Sequence, residues 1–207
     1  IPLGELGQML LTESPDSGKT WSKPQAVELG PFTPPDNAPE MTLGGVNGFL
    51  ELHDGTLLAF QGSRMPDSGH DSGFSIWEWG THQGGSAWSV RSTDGGRTWS
   101  APVPLNGPPA IGQKYDMVEA TSNMQTKEGK VLSLLRPVYS AWAWEVWSDN
   151  NGESWGPATC GSFPTYECRA LTTASGVLLV GGRTPGTGLH VSHDSGMSWK
   201  HYRIDTT

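Results

Sequence analysis

The sequence predicts an all-β chain: a β-propeller of four-stranded antiparallel blades, with about three and a half blades present. Two internal repeats and the composition predict it. The pattern Ser-x-Asp/Asn-x-Gly-x-Ser/Thr-Trp occurs four times, at Ser14–Trp21, Ser92–Trp99, Ser148–Trp155 and Ser192–Trp199. An apolar strand led by a turn glycine recurs upstream of three of these boxes. The 207 residues include 28 Gly, 16 Pro and 10 Trp, and only 16% are charged. Helix interiors exclude Gly and Pro, whereas short strands joined by tight turns use them freely.

Each box reads as a hairpin turn. The Asp or Asn side chain accepts hydrogen bonds from backbone N–H groups a few residues on, and Gly supplies a positive φ. The Trp anchors the turn on its blade. These residues serve backbone and packing needs. The box tryptophans lie 78, 56 and 44 residues apart, and repeats tens of residues long belong to solenoids and propellers.

The second repeat comprises Phe49–Ala59 around Gly55, Lys127–Leu135 around Gly129 and Ala174–Val180 around Gly176. Each reads as strand, tight turn, then a buried apolar strand. The combined unit has four strands, A to D. Strand B is expected near 56–63, 130–136 and 177–183, and strand C near 86–92, 142–148 and 188–192. Strand D is expected to start at the box Trp, giving 98–105, 154–160 and 198–204. The organisation is a half blade over 1–30 and blades over about 46–105, 117–160 and 166–205. The half blade supplies only C and D, so the chain is expected to be a piece of a longer propeller, or to be completed by a missing segment or another chain.

In a meandering blade, connections alternate between the two ends. The A–B turns and the boxes therefore share one end, and the long segments 22–46, 64–86 and 101–118 share the other, where binding and catalysis concentrate. Arg64, Arg136 and Arg183 each end a B strand, nine, seven and seven residues after the turn glycine. Three guanidinium forks at one end of converging strands form a carboxylate clamp; the competing reading pairs each arginine with an acid in its own blade. Asp67 and Asp71 follow Arg64, with His70 between them. Glu119 opens the strand leading to Arg136, close to Asp116, and Tyr166 and Glu167 open the one leading to Arg183. A carboxyl group on such a loop suits the protonation of a leaving oxygen. Trp88, Trp142, Trp144 and Trp147 fall in or beside C strands as packing residues. Trp77 and Trp79 either stack on a sugar or pin their loop.

A net charge of −8 argues against nucleic acid and anionic membrane surfaces, which need a basic footprint. No run approaches the roughly 18 apolar residues of a membrane span. Metal signals are weak, and no metal or cofactor is expected: Asp149–Gly152 looks faintly like a calcium loop but lacks its bidentate acid, and there is no phosphate-binding glycine loop or nucleophile elbow. Cys160 and Cys168 are either a disulfide, if adjacent strands bring their Cα atoms within about 7 Å, or two thiols.

The four boxes, the Asp-Gly-x-Leu-Leu strand at Asp54–Leu58 and the trailing arginines resemble the sialidase (neuraminidase) superfamily of BNR or Asp-box proteins. The resemblance spans nearly the whole chain and implies a six-bladed parent. It implies three arginines on the substrate carboxylate (Arg64, Arg136, Arg183). It implies an acid/base aspartate in the segment of Asp67 and Asp71, and a glutamate at Glu119. The family's Arg-Ile-Pro signature survives as Ile1-Pro2. Its tyrosine nucleophile follows the last arginine and box, so Tyr166 does not match it. The expected activity is exo-hydrolysis of a terminal acidic sugar of the sialic acid type from glycans, outside the cell or in the periplasm. The alternatives are an acidic-polysaccharide lyase on the same scaffold and a non-catalytic propeller that binds glycan or protein.

Overall fold

The computed structural model describes residues 10–34, 42–64, 87–105, 117–137, 142–164, 168–182 and 188–204. Every regular element in them is a β-strand. β1 (Leu10–Leu11) and β2 (Gln25–Ala26) pair antiparallel across the first box, and β3 (Glu28–Leu29) follows. The first sheet contains β4 (Thr42–Glu51), β5 (Leu57–Arg64) and β6 (Ala87–Ser92). β7 (Thr98–Trp99) pairs parallel with β3, and β8 (Val103–Pro104) completes the sheet in the order β4-β5-β6-β8. The second sheet is the meander β9 (Met117–Gln125), β10 (Val131–Pro137), β11 (Trp142–Ser148), β12 (Thr159–Pro164). The third is β13 (Arg169–Thr172), β14 (Leu178–Gly182), β15 (Gly188–Ser192), β16 (Lys200–Arg203). The first strands pack in succession, β4 on β9 and β9 on β13.

Strand positions follow the sequence closely except for the last strand of each unit. This strand was expected at the box Trp, yet after one backbone bond beside the Trp its ladder within the unit resumes only later wherever a proline follows. Pro24, Pro102 and Pro157 precede β2, β8 and β12. Proline has no N–H for the ladder. The fourth box has no such proline, and β16 starts immediately after Trp199.

Alternation along the second strands builds the core. Leu57 and Ala59 face back towards Val27, Leu29 and Trp99, while Leu58 and Phe60 face forward onto Val131, Leu135 and Val146. In the next sheet Leu132 and Leu134 face forward onto Leu178 and Val180. The first and second sheets are thus apolar on both faces, and full burial of each such Leu or Phe side chain stabilises by roughly 1.5–3 kcal/mol. Both cysteines are free thiols, Cys160 exposed and Cys168 buried. Trp88 is buried and Trp144 and Trp147 half-buried, as packing requires, whereas Trp142 is 43% exposed.

Candidate functional site

The two ends of the sheets differ in chemistry. At one end the boxes form closed hydrogen-bond networks. In the second box Ser92 Oγ donates to Asp94 Oδ1 at 2.8 Å and accepts from the Gly96 N–H at 2.9 Å. The Thr98 N–H and hydroxyl both donate to the Asp94 carboxylate. The first and fourth boxes repeat this around Asp16 and Asp194. In the third, Asn150 accepts from Ser148 and the Ser154 N–H, and its own Nδ2 donates to Ser154 Oγ at 2.9 Å. These donors hold the carboxylates below their usual range: Asp194 at about 2, chiefly through Ser198, and Asp94 lower still through Thr98. A carboxylate held ionised by turn donors cannot act as a general acid near neutral pH, so the boxes are structural.

The boxes also lean on the preceding sheet. Asn151, at φ 56°, donates from Nδ2 to Asp54 Oδ2 at 2.9 Å, and Ser195, at φ 58°, donates to the Glu128 carboxylate. Both acceptors sit in the turn between the first two strands of the preceding sheet. This contact confirms that these turns and the boxes share one end.

The opposite end carries the arginines. The backbone of β5 ends at Arg64, paired with Thr42 of β4. Arg136 occupies the corresponding end of β10, directly across from Glu119 of β9. By register Arg64 continues the row of Leu58 and Phe60, and Arg136 that of Leu132 and Leu134, so the two occupy equivalent rows of successive sheets. Both first strands carry register shifts at this end, between Leu43 and Gly48 in β4 and between Met117 and Ser122 in β9. Bulges of this kind recur beside active sites, where they re-aim side chains. Asp67, Asp71, Tyr166, Glu167 and Arg183 lie outside the described residues, as do His70, Trp77, Trp79 and Asp116; Arg183 follows the last residue of β14.

One cation at this end escaped the sequence reading. Arg169 opens β13, is exposed, and donates from Nη1 to the Cys168 carbonyl at 2.9 Å. Its position on a first strand, not at the end of a second one, kept it out of the arginine pattern. Among the described residues no three His, Cys, Asp or Glu side chains gather as metal ligands.

Box turns at one end of successive four-stranded meanders, with arginines at the other, define an Asp-box repeat protein. The model of the BNR repeat-like domain matches residues 4–205, and the chain belongs to that family. No curated protein sequence matches it. Its fold is that of sialidases of known structure. A Hadza microbial sialidase, Hz136, superposes with a TM-score of 0.63 at 17% identity over 92% of this chain and 39% of its own. A mutant of the NanB sialidase from Streptococcus pneumoniae gives 0.64 at 16% identity over 96% and 29%. The intramolecular trans-sialidase from Ruminococcus gnavus, in complex with oseltamivir carboxylate, gives 0.59 at 16% identity over 96% and 41%. The chain therefore spans well under half the length of these proteins.

Proposed function

We propose that this chain is part of a six-bladed, sialidase-like propeller that hydrolyses a terminal acidic sugar from glycans, in an extracellular or periplasmic setting. The carrying observation is the equivalence of Arg64 and Arg136 at the end of the sheets remote from the boxes, with Glu119 directly opposite Arg136. Arg64, Arg136 and Arg183 hold the sugar carboxylate through planar, bidentate contacts. Tyr166 and Glu167, which precede Arg183 by seventeen and sixteen residues, are further substrate-binding candidates in this reading.

Asp67 or Asp71 protonates the departing glycosidic oxygen as the bond to the sugar breaks. Glu119 acts as the base that activates the attacking group. The reading takes further support from the fold shared with sialidases and from the trans-sialidase whose structure contains oseltamivir carboxylate.

The test is turnover of 4-methylumbelliferyl sialic acid by the protein and by Arg136→Ala and Glu119→Gln. Turnover that both substitutions abolish, with an unchanged unfolding midpoint, supports the proposal. Saturable binding of sialic acid without turnover assigns the site to a non-catalytic glycan-binding propeller. Release of an unsaturated sugar from an acidic polysaccharide assigns it to a lyase.

A further inference from the structure

The two junctions between successive four-stranded sheets are built from the same repeat but differ in chemistry. The junction of the first and second sheets has an apolar centre, where Leu58 and Phe60 meet Val131, Leu135 and Val146, and its charged contact, Arg91 with Glu153 at 3.2 Å, lies at the box end. The indole of its box is satisfied, because Trp155 Nε1 bonds to Ser89 Oγ at 2.8 Å. The junction of the second and third sheets contains a buried imidazole. His190 of β15 is 4% exposed and stacks on Phe163 of β12, with ring centroids 4.1 Å apart and planes 17° apart. His201, its direct partner on β16, lies against it at 4.7 Å. Trp199 packs edge-on to Phe163 at 4.9 Å, and its Nε1 is buried without a partner. At the position equivalent to Ser89, three residues before the box serine, the second sheet has Glu145, 8% exposed.

We infer that this junction is an acid-sensitive clasp: protonation of His190 loosens the third sheet from the second while the first junction holds. A neutral imidazole stacks on Phe163 and tolerates burial, whereas an imidazolium there loses its hydration. His201 at 4.7 Å opposes the second positive charge. Among the described residues, the other titratable groups on the elements packed against His190 are Glu145 of β11, whose row it faces, the Cys168 thiol ahead of β13, and Lys200, Tyr202 and Arg203 of β16, of which Arg203 continues the row of His201 and adds a further positive charge. Burial, then His201, lowers the His190 pKa below its ordinary 6.5, against a hydrogen bond to the Pro164 carbonyl that raises it.

The sign follows from linkage. Below about 6.5 the unfolded chain takes up a proton that folded His190 resists, so stability falls as pH drops from about 6.5 towards the folded pKa. The box carboxylates, with their depressed values, act only at lower pH. The His190 window therefore opens at a higher pH than theirs.

The test is amide hydrogen exchange at pH 7.5 and 5.5, corrected for intrinsic rates, on the wild type and on His190→Phe. Protection in β14–β16 of the wild type is expected to fall at least about fivefold on acidification, with β5 and β6 unchanged. His190→Phe, which keeps a ring on Phe163 but removes the titrating group, is expected to abolish the difference. Equal loss in all sheets, or the same loss in the variant, overturns the inference. If the variant does not fold, an NMR titration of the wild-type imidazoles decides: a His190 midpoint below 6.5 supports the clasp, and one at or above 6.5 refutes it.

Discussion

The indole Nε1 of Trp155 donates to Ser89 Oγ at 2.8 Å, tying the box of the second sheet to the third strand of the first. Ser89 is fully buried, so breaking this bond strands a polar group where water cannot reach it. Trp155→Phe and Ser89→Ala should each destabilise by about 1–3 kcal/mol. The double variant should cost clearly less than the two single changes together, because both remove one interaction. Urea unfolding of the four proteins tests this.

Gly152 is constrained twice. Its φ is +77°, and a Cβ there would lie 2.8 Å from Leu58 of the preceding sheet. Gly55 has φ +83° with nothing within 4 Å of such a Cβ. Gly55→Ala should therefore show only the left-handed backbone penalty, about 1–2 kcal/mol. Gly152→Ala should lose about 1–3 kcal/mol more from overpacking against Leu58. Equal losses in thermal or urea unfolding would show that the sheets close on each other less tightly than this geometry requires.

The box aspartates set a lower limit to acid stability. Asp16, Asp94 and Asp194 all have pKa values depressed by turn donors. Their contribution is present above the unfolded value near 4 and is lost as pH falls through the folded values. Asp194→Asn should flatten the fall in stability between pH 4 and 2, measured by urea unfolding at each pH. The amide is expected to fit, because Asn150 fills the same position in the third box with Nδ2 donating to Ser154.

Arg136→Lys tests the proposed site with the charge retained. Lysine offers a point charge on a flexible stem in place of a planar fork. For a carboxylate substrate, kcat/KM should fall about tenfold or more, with most of the effect in KM. The stability from urea unfolding should stay within about 0.5 kcal/mol of wild type. Unchanged kinetics would remove Arg136 from the clamp.

The repeat was legible because a turn is a local event. Ser, Asp, Gly and Thr within one octapeptide make their hydrogen bonds to one another, so spacing alone exposes the turn. The second strands were legible for a similar reason: Leu58 and Phe60, or Leu132 and Leu134, alternate with residues facing the other sheet. The equivalence of Arg64 and Arg136 was visible in their similar distances from the turn glycine, nine and seven residues. Arg169 was not, since nothing adjacent in the chain marks it as the start of a first strand. The polar ties on β9 were equally hidden. Ser122 donates to the Cys168 carbonyl, and Gln125 accepts from the His53 N–H; each partner lies more than 40 residues away.

The sequence by itself determined the turns, the strand spacing and the alternation of apolar rows, because backbone hydrogen bonding and side-chain periodicity act over a few residues. It also marked which end of the sheets carries the arginines. Only the tertiary structure decided what each row meets: Asn151 on Asp54, Glu119 across from Arg136, Gly152 against Leu58 and His190 between Phe163 and His201. Glu119 with Arg136 and His190 with His201 are set by strand register within one sheet, and the other partners by how one sheet stacks on the next. Stacking depends on shape and volume summed over residues far apart in the chain, which no local pattern records.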